Sequence, residues 1–209
     1  MLGIDMLRNF FLLFLGAACL IGAPAMHAQA PPSDPALKPP PGAHVAIVEF
    51  ADLECPRCGK ENPGIKDAAT KYHIPWMRHD FPLRMHVWSF PAAVNARWFD
   101  TKGKNIGDAY RDAIFANQSS IENVDGLNKF TEKFAADHNI AMPFAIDPQN
   151  KLSDAVKSDY DLGMRLGVHQ TPTVWIVTSK GDAALVNDYS QMYQMIESAQ
   201  AATKTTARK

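Results

Sequence analysis

Cysteine is scarce in this chain, with three residues among 209, at positions 19, 55 and 58. So few sulfurs exclude a disulfide framework, which staples small domains through several bridges, and they cannot by themselves complete a four-cysteine zinc site. An excess of either charge is also missing, with 21 Lys and Arg against 22 Asp and Glu. The composition therefore gives no electrostatic footprint for nucleic acid or an anionic membrane surface. The apolar stretch near the N-terminus, residues 10–25, is shorter than the roughly 20 residues of a spanning helix and its flanks are those of an export signal. Internal repeats are absent. What remains, 46% hydrophobic and 21% charged, is an ordinary globular composition. Its length suits one sizeable domain, or a small domain carrying a large insertion.

Residues 1–30 are expected to be a signal peptide. Arg8 precedes the Phe10–Leu15 apolar core, and Ala23-Pro24-Ala25 and Ala28-Gln29-Ala30 both offer small residues for cleavage. An uncleaved anchor and a lipid attached at Cys19 are the other readings of this stretch. Export implies a bacterial periplasm, and Cys19 would leave with the signal. The mature chain would then hold one pair, Cys55 and Cys58, too close in sequence to constrain the unfolded state much. Residues 31–42, with six prolines, are expected to form an extended tether.

The folded body is expected to begin with a strand over residues 45–50, apolar through most of its length as in a strand covered on both faces. Cys55-Pro56-Arg57-Cys58 follows and opens a helix reaching residue 72, with Pro56 in the first turn and Pro63-Gly64 expected to kink or interrupt it. A second strand is read at residues 75–80. Helical periodicity then takes over: Phe90, Val94 and Trp98 share one face, as do Ile106, Tyr110 and Ile114, and Leu127, Phe130 and Phe134. A fourth helix is read at residues 150–166, and these aromatic stripes are read as core. Strand signals return in Thr173-Val174-Trp175-Ile176-Val177, with a turn at Ser179-Lys180-Gly181-Asp182 and a partner strand at residues 184–186. A last helix is expected from Asp188, with Gln191 completing a capping box. The order is β-α-β, an all-helical insertion, then β-β-α. That is the layout of an α/β thioredoxin-like fold, with residues 43–82 and 167–205 forming the thioredoxin-like domain and residues 83–166 the insertion.

Glu49-Phe50 ahead of Cys-Pro-Arg-Cys, Val168-His169-Gln170-Thr171-Pro172-Thr173 ahead of the hairpin, Phe81-Pro82-Leu83 followed by His86, and Phe115-Ala116-Asn117-Gln118 together resemble the DsbA-like thiol–disulfide oxidoreductases. The resemblance covers nearly the whole mature chain. It implies an enzyme that exchanges disulfides with cysteine-containing exported proteins and is served by a membrane redox partner of the DsbB kind. It also implies a cis peptide at Thr171-Pro172 facing the cysteines, and a buried acid at Glu49.

A cysteine at a helix start meets unsatisfied N–H groups and the positive end of the helix dipole, both of which favour the thiolate. Cys55 is therefore expected to be the exposed nucleophile and Cys58, one turn inside, the resolving thiol. The charge of Arg57 is expected to favour the Cys55 thiolate further, against Asp52 and Glu54, which are expected to be screened by water. Glu49, if buried, would be a proton shuttle for Cys58. No cofactor, no metal and no nucleic-acid partner is expected, and the protein is read as a monomer. Arg57 in place of the His of the best-known oxidases, and Thr171 in place of their Val, leave the direction of electron flow open between oxidase and reductase or isomerase. A copper- or zinc-binding chaperone using Cys55 and Cys58 with His79, His86 or His169 is the reading from another class.

Overall fold

The computed structural model describes residues 34–204. The expected signal peptide, the other readings of that stretch and Cys19 lie outside the described residues. Four strands form one mixed sheet: β1 (Val45–Ala51), β2 (Trp76–Asp80), β3 (Thr173–Thr178) and β4 (Ala183–Leu185), in the spatial order β2-β1-β3-β4. Six helices accompany them: α1 (Pro56–Lys71), α2 (Ser89–Asp100), α3 (Lys104–Asn117), α4 (Val124–Asp137), α5 (Lys151–Arg165) and α6 (Met192–Lys204). This is the thioredoxin fold, with α2 to α5 between its two halves.

All seven residues of β1 are buried, because the strand is covered on both faces. Its alternation divides the core in two. Val45 and Ile47 pack with Ile65 and Ala68 of α1, Val174 and Ile176 of β3, and Met192 and Ile196 of α6. Ala46, Val48 and Phe50 pack on the other face with Phe81, Leu166, Val168, Trp175 and Val177. β1 pairs parallel with β2, where Glu49 stands opposite Arg78, and antiparallel with β3, where Glu49 stands opposite Val174. The insertion has a core of its own, built from Trp88, Ala92, Ala96 and Phe99 with Tyr110, Ile114, Leu127 and Phe134. Its one buried phenol, Tyr110, shares a 2.7 Å hydrogen bond with Thr131, and burial pushes its pKa up to about 12. Arg97 of α2 fastens this unit to the sheet by pairing with Asp80 at the end of β2 and Asp159 of α5.

Three local expectations are corrected. Part of the proline-rich segment belongs to the folded body: Asp34 caps a short 3-10 turn, Pro35–Leu37, and Leu37 is buried in the β1 core. Proline suits the first positions of such a turn, and the apolar face beneath it supplies the anchor. Helix α1 continues through Pro63 without interruption. Proline removes one backbone bond there, but Asn62, Ile65 and Ala68 on the buried face hold both halves down. At the last helix, Asp188 caps a 3-10 turn, Tyr189–Gln191, and α6 begins only at Met192. Gln191 donates its side-chain N–H to the Asp188 carboxylate at 3.2 Å, whereas a capping box needs its amide oxygen to accept from the Asp188 backbone N–H, so the box does not form.

Gly163 marks the closest approach of α5 to the sheet: a Cβ there would lie 2.5 Å from the Phe81 ring and 3.0 Å from that of Phe50. Gly64 in α1 faces open space. Alanine gains about 1 kcal/mol of helix propensity at either site, while overpacking costs about 1–3 kcal/mol. We expect Gly163→Ala to lower the urea midpoint and Gly64→Ala to raise it. Equal shifts of the same sign in urea melts would remove the packing argument.

Candidate active site

β1 ends at Ala51, and four residues later Cys55 occupies the N-cap position of α1, with extended backbone and Pro56 at the first helical position. Sheet and helix thus meet at the first sulfur, and its carbonyl accepts the first helical bond from Gly59 N–H at 3.2 Å. Both cysteines are free thiols. Cys55 is 7% exposed and Cys58 fully buried. The expected order of accessibility holds, but Cys55 is a narrow opening in the surface. Opposite it the chain makes a cis peptide at Thr171-Pro172, and the Cys55 thiol donates to the Thr171 carbonyl at 3.3 Å.

The two thiols are pushed apart in acidity. The Cys55 pKa is lowered to about 5, first by the Cys58 thiol donating to it, against burial, then by Thr171 and by the backbone N–H groups of Cys58 and Arg57 at the helix start. The Thr171 hydroxyl is itself buried without a hydrogen-bond partner. The Cys58 pKa is pushed up, first by burial, then by Cys55 and the nearby charge of Glu49.

The Arg57 backbone N–H is among the groups that support the thiolate; its side chain is exposed, with the guanidinium 5.7 Å from the centre of the Tyr189 ring. Tyr189 in turn donates to the Pro172 carbonyl at 3.3 Å, which links the start of α1 to the cis-proline loop. Asp52 departs from expectation. Water does not screen it: it is 1% exposed. Its two oxygens accept from Glu54 N–H, Leu83 N–H, the Ser89 hydroxyl and the ring nitrogen of His86. Glu54 accepts from Trp88 N–H at 2.7 Å, a carboxylate at the N-terminus of α2 where the helix dipole favours it. Both acids are thereby directed at the insertion.

Glu49 is buried, and burial raises its pKa despite Arg78 nearby and the 2.9 Å hydrogen bond from the Trp76 indole. It shares a face of β1 with Ala51, which packs against Cys55 and Cys58. The histidines considered as metal ligands do not converge on the sulfurs: His79 pairs with Asp159 and His86 with Asp52. Among the described residues no group of three His, Cys, Asp or Glu side chains is placed to hold a metal ion.

Gln118, just past α3, was visible only as part of a family-like segment. Its amide donates to the Leu53 carbonyl at 2.8 Å and to the Cys55 carbonyl at 3.0 Å, and it packs against Gly59 so closely that a Cβ there would meet its oxygen at 2.7 Å. Nothing in the local pattern around Gln118 announces this, because the contact spans 63 residues.

A dithiol at a strand–helix junction, facing a cis-proline loop within a thioredoxin fold, defines a redox-type cysteine site. Residues 40–198 match the family model described as Thioredoxin, and the chain belongs to that family. Among solved structures it is similar to alpha-DsbA1 of Wolbachia pipientis (18% identity, TM-score 0.65, covering 81% of this chain and 92% of that one). DsbA2 of Pseudomonas aeruginosa is similar as well (20% identity, TM-score 0.59, 78% and 90%). So is ScsC of Proteus mirabilis (16% identity, TM-score 0.62, 81% and 76%). At these identities the likeness is one of fold, insertion included. A curated relative, the Na(+)/H(+) antiporter NhaA 3 of Salinispora tropica, is 25% identical over 139 residues, 66% of this chain and 21% of its own length. The chain therefore spans about a fifth of the length of that relative.

Three expected outcomes follow from this geometry. The rate of Cys55 alkylation by iodoacetamide should rise with pH through an inflection near about 5 and be flat at neutral pH; an inflection at the ordinary thiol value would contradict the site as described. The same depressed pKa makes the reduced protein lose stability as pH falls from the ordinary thiol range toward about 5. Gln118→Ala removes the donor to the Leu53 carbonyl and leaves the Cys55 carbonyl with Gly59 N–H alone, and should cost about 1–3 kcal/mol in chemical denaturation. An unchanged midpoint would show that water replaces the amide without loss.

Proposed function

We propose that this protein is an exported thiol–disulfide oxidoreductase that passes its Cys55–Cys58 disulfide to cysteine-containing proteins of the periplasm. The opposed acidities of the two thiols carry this reading. A thiolate that is stabilised at Cys55 lowers the free energy of the reduced form, and that makes the disulfide the better oxidant.

In the oxidising direction a substrate thiolate attacks Cys55 Sγ, the S–S bond breaks, and its electron pair leaves on Cys58. The buried Cys58 takes up a proton, for which Glu49, held toward its neutral form by burial, is the donor. A second substrate thiolate attacks the substrate sulfur of the mixed disulfide and expels Cys55 as the stabilised thiolate. The substrate loses two electrons and the protein gains them. A membrane redox partner of the DsbB kind then restores the disulfide. Thr171 presents its backbone beside Cys55, where an extended substrate segment pairs with it, and Pro172 holds that turn. Pro56 and the Arg57 backbone shape the helix start. The protein acts as a monomer, with residues 83–166 as an insertion in a domain formed by residues 43–82 and 167–205.

Thr171 favours a second reading, the same chemistry run toward reduction or isomerisation, because this residue touches the reactive sulfur and differs from the Val of the best-known oxidases. The reduction potential separates the two: a value well above that of thioredoxin supports oxidation, a value near it supports reduction. Cys58→Ser should accumulate mixed disulfides through Cys55 with periplasmic proteins, visible on non-reducing gels and abolished by Cys55→Ser. Finding none would end the assignment of Cys55 as the exchanging sulfur.

A further inference from the structure

Cys55 and Cys58 sit at the N-terminal end of α1. Toward the other end of the same helix, between α1, β2 and α3, lies a separate cleft of about 610 Å³. Arg78 of β2 lines it, with a side chain only 12% exposed. Its guanidinium lies 4.0 Å from the centre of the Trp76 ring. Its Nε is 3.8 Å from Glu49, an ion-pair separation but too long for a hydrogen bond. Nε and Nη1 of Arg78 are buried with no hydrogen-bond partner. A buried guanidinium without hydrogen bonds is costly and calls for an acceptor.

The other charges of the cleft are already matched. Arg111 grips Asp100 through two 2.7 Å hydrogen bonds, and Lys104 pairs with Asp108 at 2.8 Å. Glu49, the only ion partner of Arg78 among the described residues, is held toward its neutral form by burial. Arg78 is thus the cation of the cleft that has an ion-pair neighbour but no hydrogen bond. Asp100 and Asp108 on the same wall work against a dianion such as phosphate. A carboxylate matches the guanidinium in charge and as a hydrogen-bond acceptor. Ala69, Ile74 and Trp76 form an apolar wall beside it, and the volume is that of a small-molecule site.

We propose that this cleft binds a small organic monocarboxylate, with the carboxylate on Arg78 and the alkyl body against Ala69, Ile74 and Trp76. The site does not involve the cysteines and stands whether or not the protein exchanges disulfides.

Trp76 lines the cleft and its indole N–H donates to Glu49, so its NMR resonance is a local reporter, with the indoles of Trp88, Trp98 and Trp175 as internal references. Titrating the mature protein with sodium hexanoate should shift the Trp76 signal saturably. Sodium phosphate and sodium chloride at matched ionic strength should not. Arg78→Gln should weaken hexanoate binding on the order of tenfold or more, as expected for loss of a charged hydrogen-bond donor. Thr70→Trp places a bulky ring at the exposed rim on α1 without removing a buried group, and should block binding in a protein that still folds. No saturable shift, an equal response to phosphate, or unchanged binding in Thr70→Trp overturns the proposal.

Discussion

The Asp52 carboxylate is the constraint on which the rest of the site depends. It is buried, and a buried carboxylate is tolerated only when its lone pairs are filled. Four donors fill them: the Glu54 and Leu83 N–H groups, the Ser89 hydroxyl and the His86 ring. Those donors come from the turn before Cys55, from the loop that leaves β2 and from the first residue of α2. Asp52 also takes part from its own backbone, since its N–H reaches the Cys58 sulfur at 3.5 Å and its carbonyl accepts from Cys55 N–H at 3.1 Å. A single residue therefore ties the insertion, the sheet and both cysteines into one unit.

Because the acids are occupied in this way, the helix terminus is free to set the chemistry. Cys55 draws its stabilisation from Cys58 and from N–H groups whose direction is set by α1. Cys58, on the next turn of the same helix, meets no solvent and is held in the thiol form. A separation of one helical turn thus gives two opposite environments. The insertion contributes to this through Gln118, whose amide holds the carbonyls of Leu53 and Cys55 in place. The helical unit is a structural part of the redox centre and not merely a cover over it.

Much of this was legible in the sequence, and the reason is local. The strand Val45–Ala51 is apolar on both faces, so its burial could be read directly. Cys-Pro-Arg-Cys carries its own helix start, and Thr171-Pro172 precedes a strongly β-prone run. Glu49 stood out as one carboxylate in an apolar strand, and it is buried. What was not legible depends on partners distant in the chain. Asp52 reads as a solvated loop acid until Leu83, His86 and Ser89 arrive around it. Arg57 reads as a neighbour of Cys55 in sequence, yet its side chain reaches Tyr189, which lies beyond the hairpin. Leu37 looks like a spacer residue because the apolar face that receives it is made by β1 and β3 together.

Arg57 shows how a residue beside a thiolate can act there through its backbone while its side chain is engaged elsewhere. At an N-terminal helix position the side chain projects away from the axis while the backbone N–H points along it. The residue after Pro56 therefore delivers its N–H to the sulfur whatever its side chain is. The guanidinium goes to the aromatic surface nearest it, and Tyr189 provides one that is already anchored to the Pro172 carbonyl. The contribution of the dipeptide between the cysteines is then divided: its backbone acts on Cys55, and its charged side chain acts on the link between α1 and the cis-proline loop. The charge at this position therefore stands on the surface that joins α1 to the cis-proline loop, beside Tyr189.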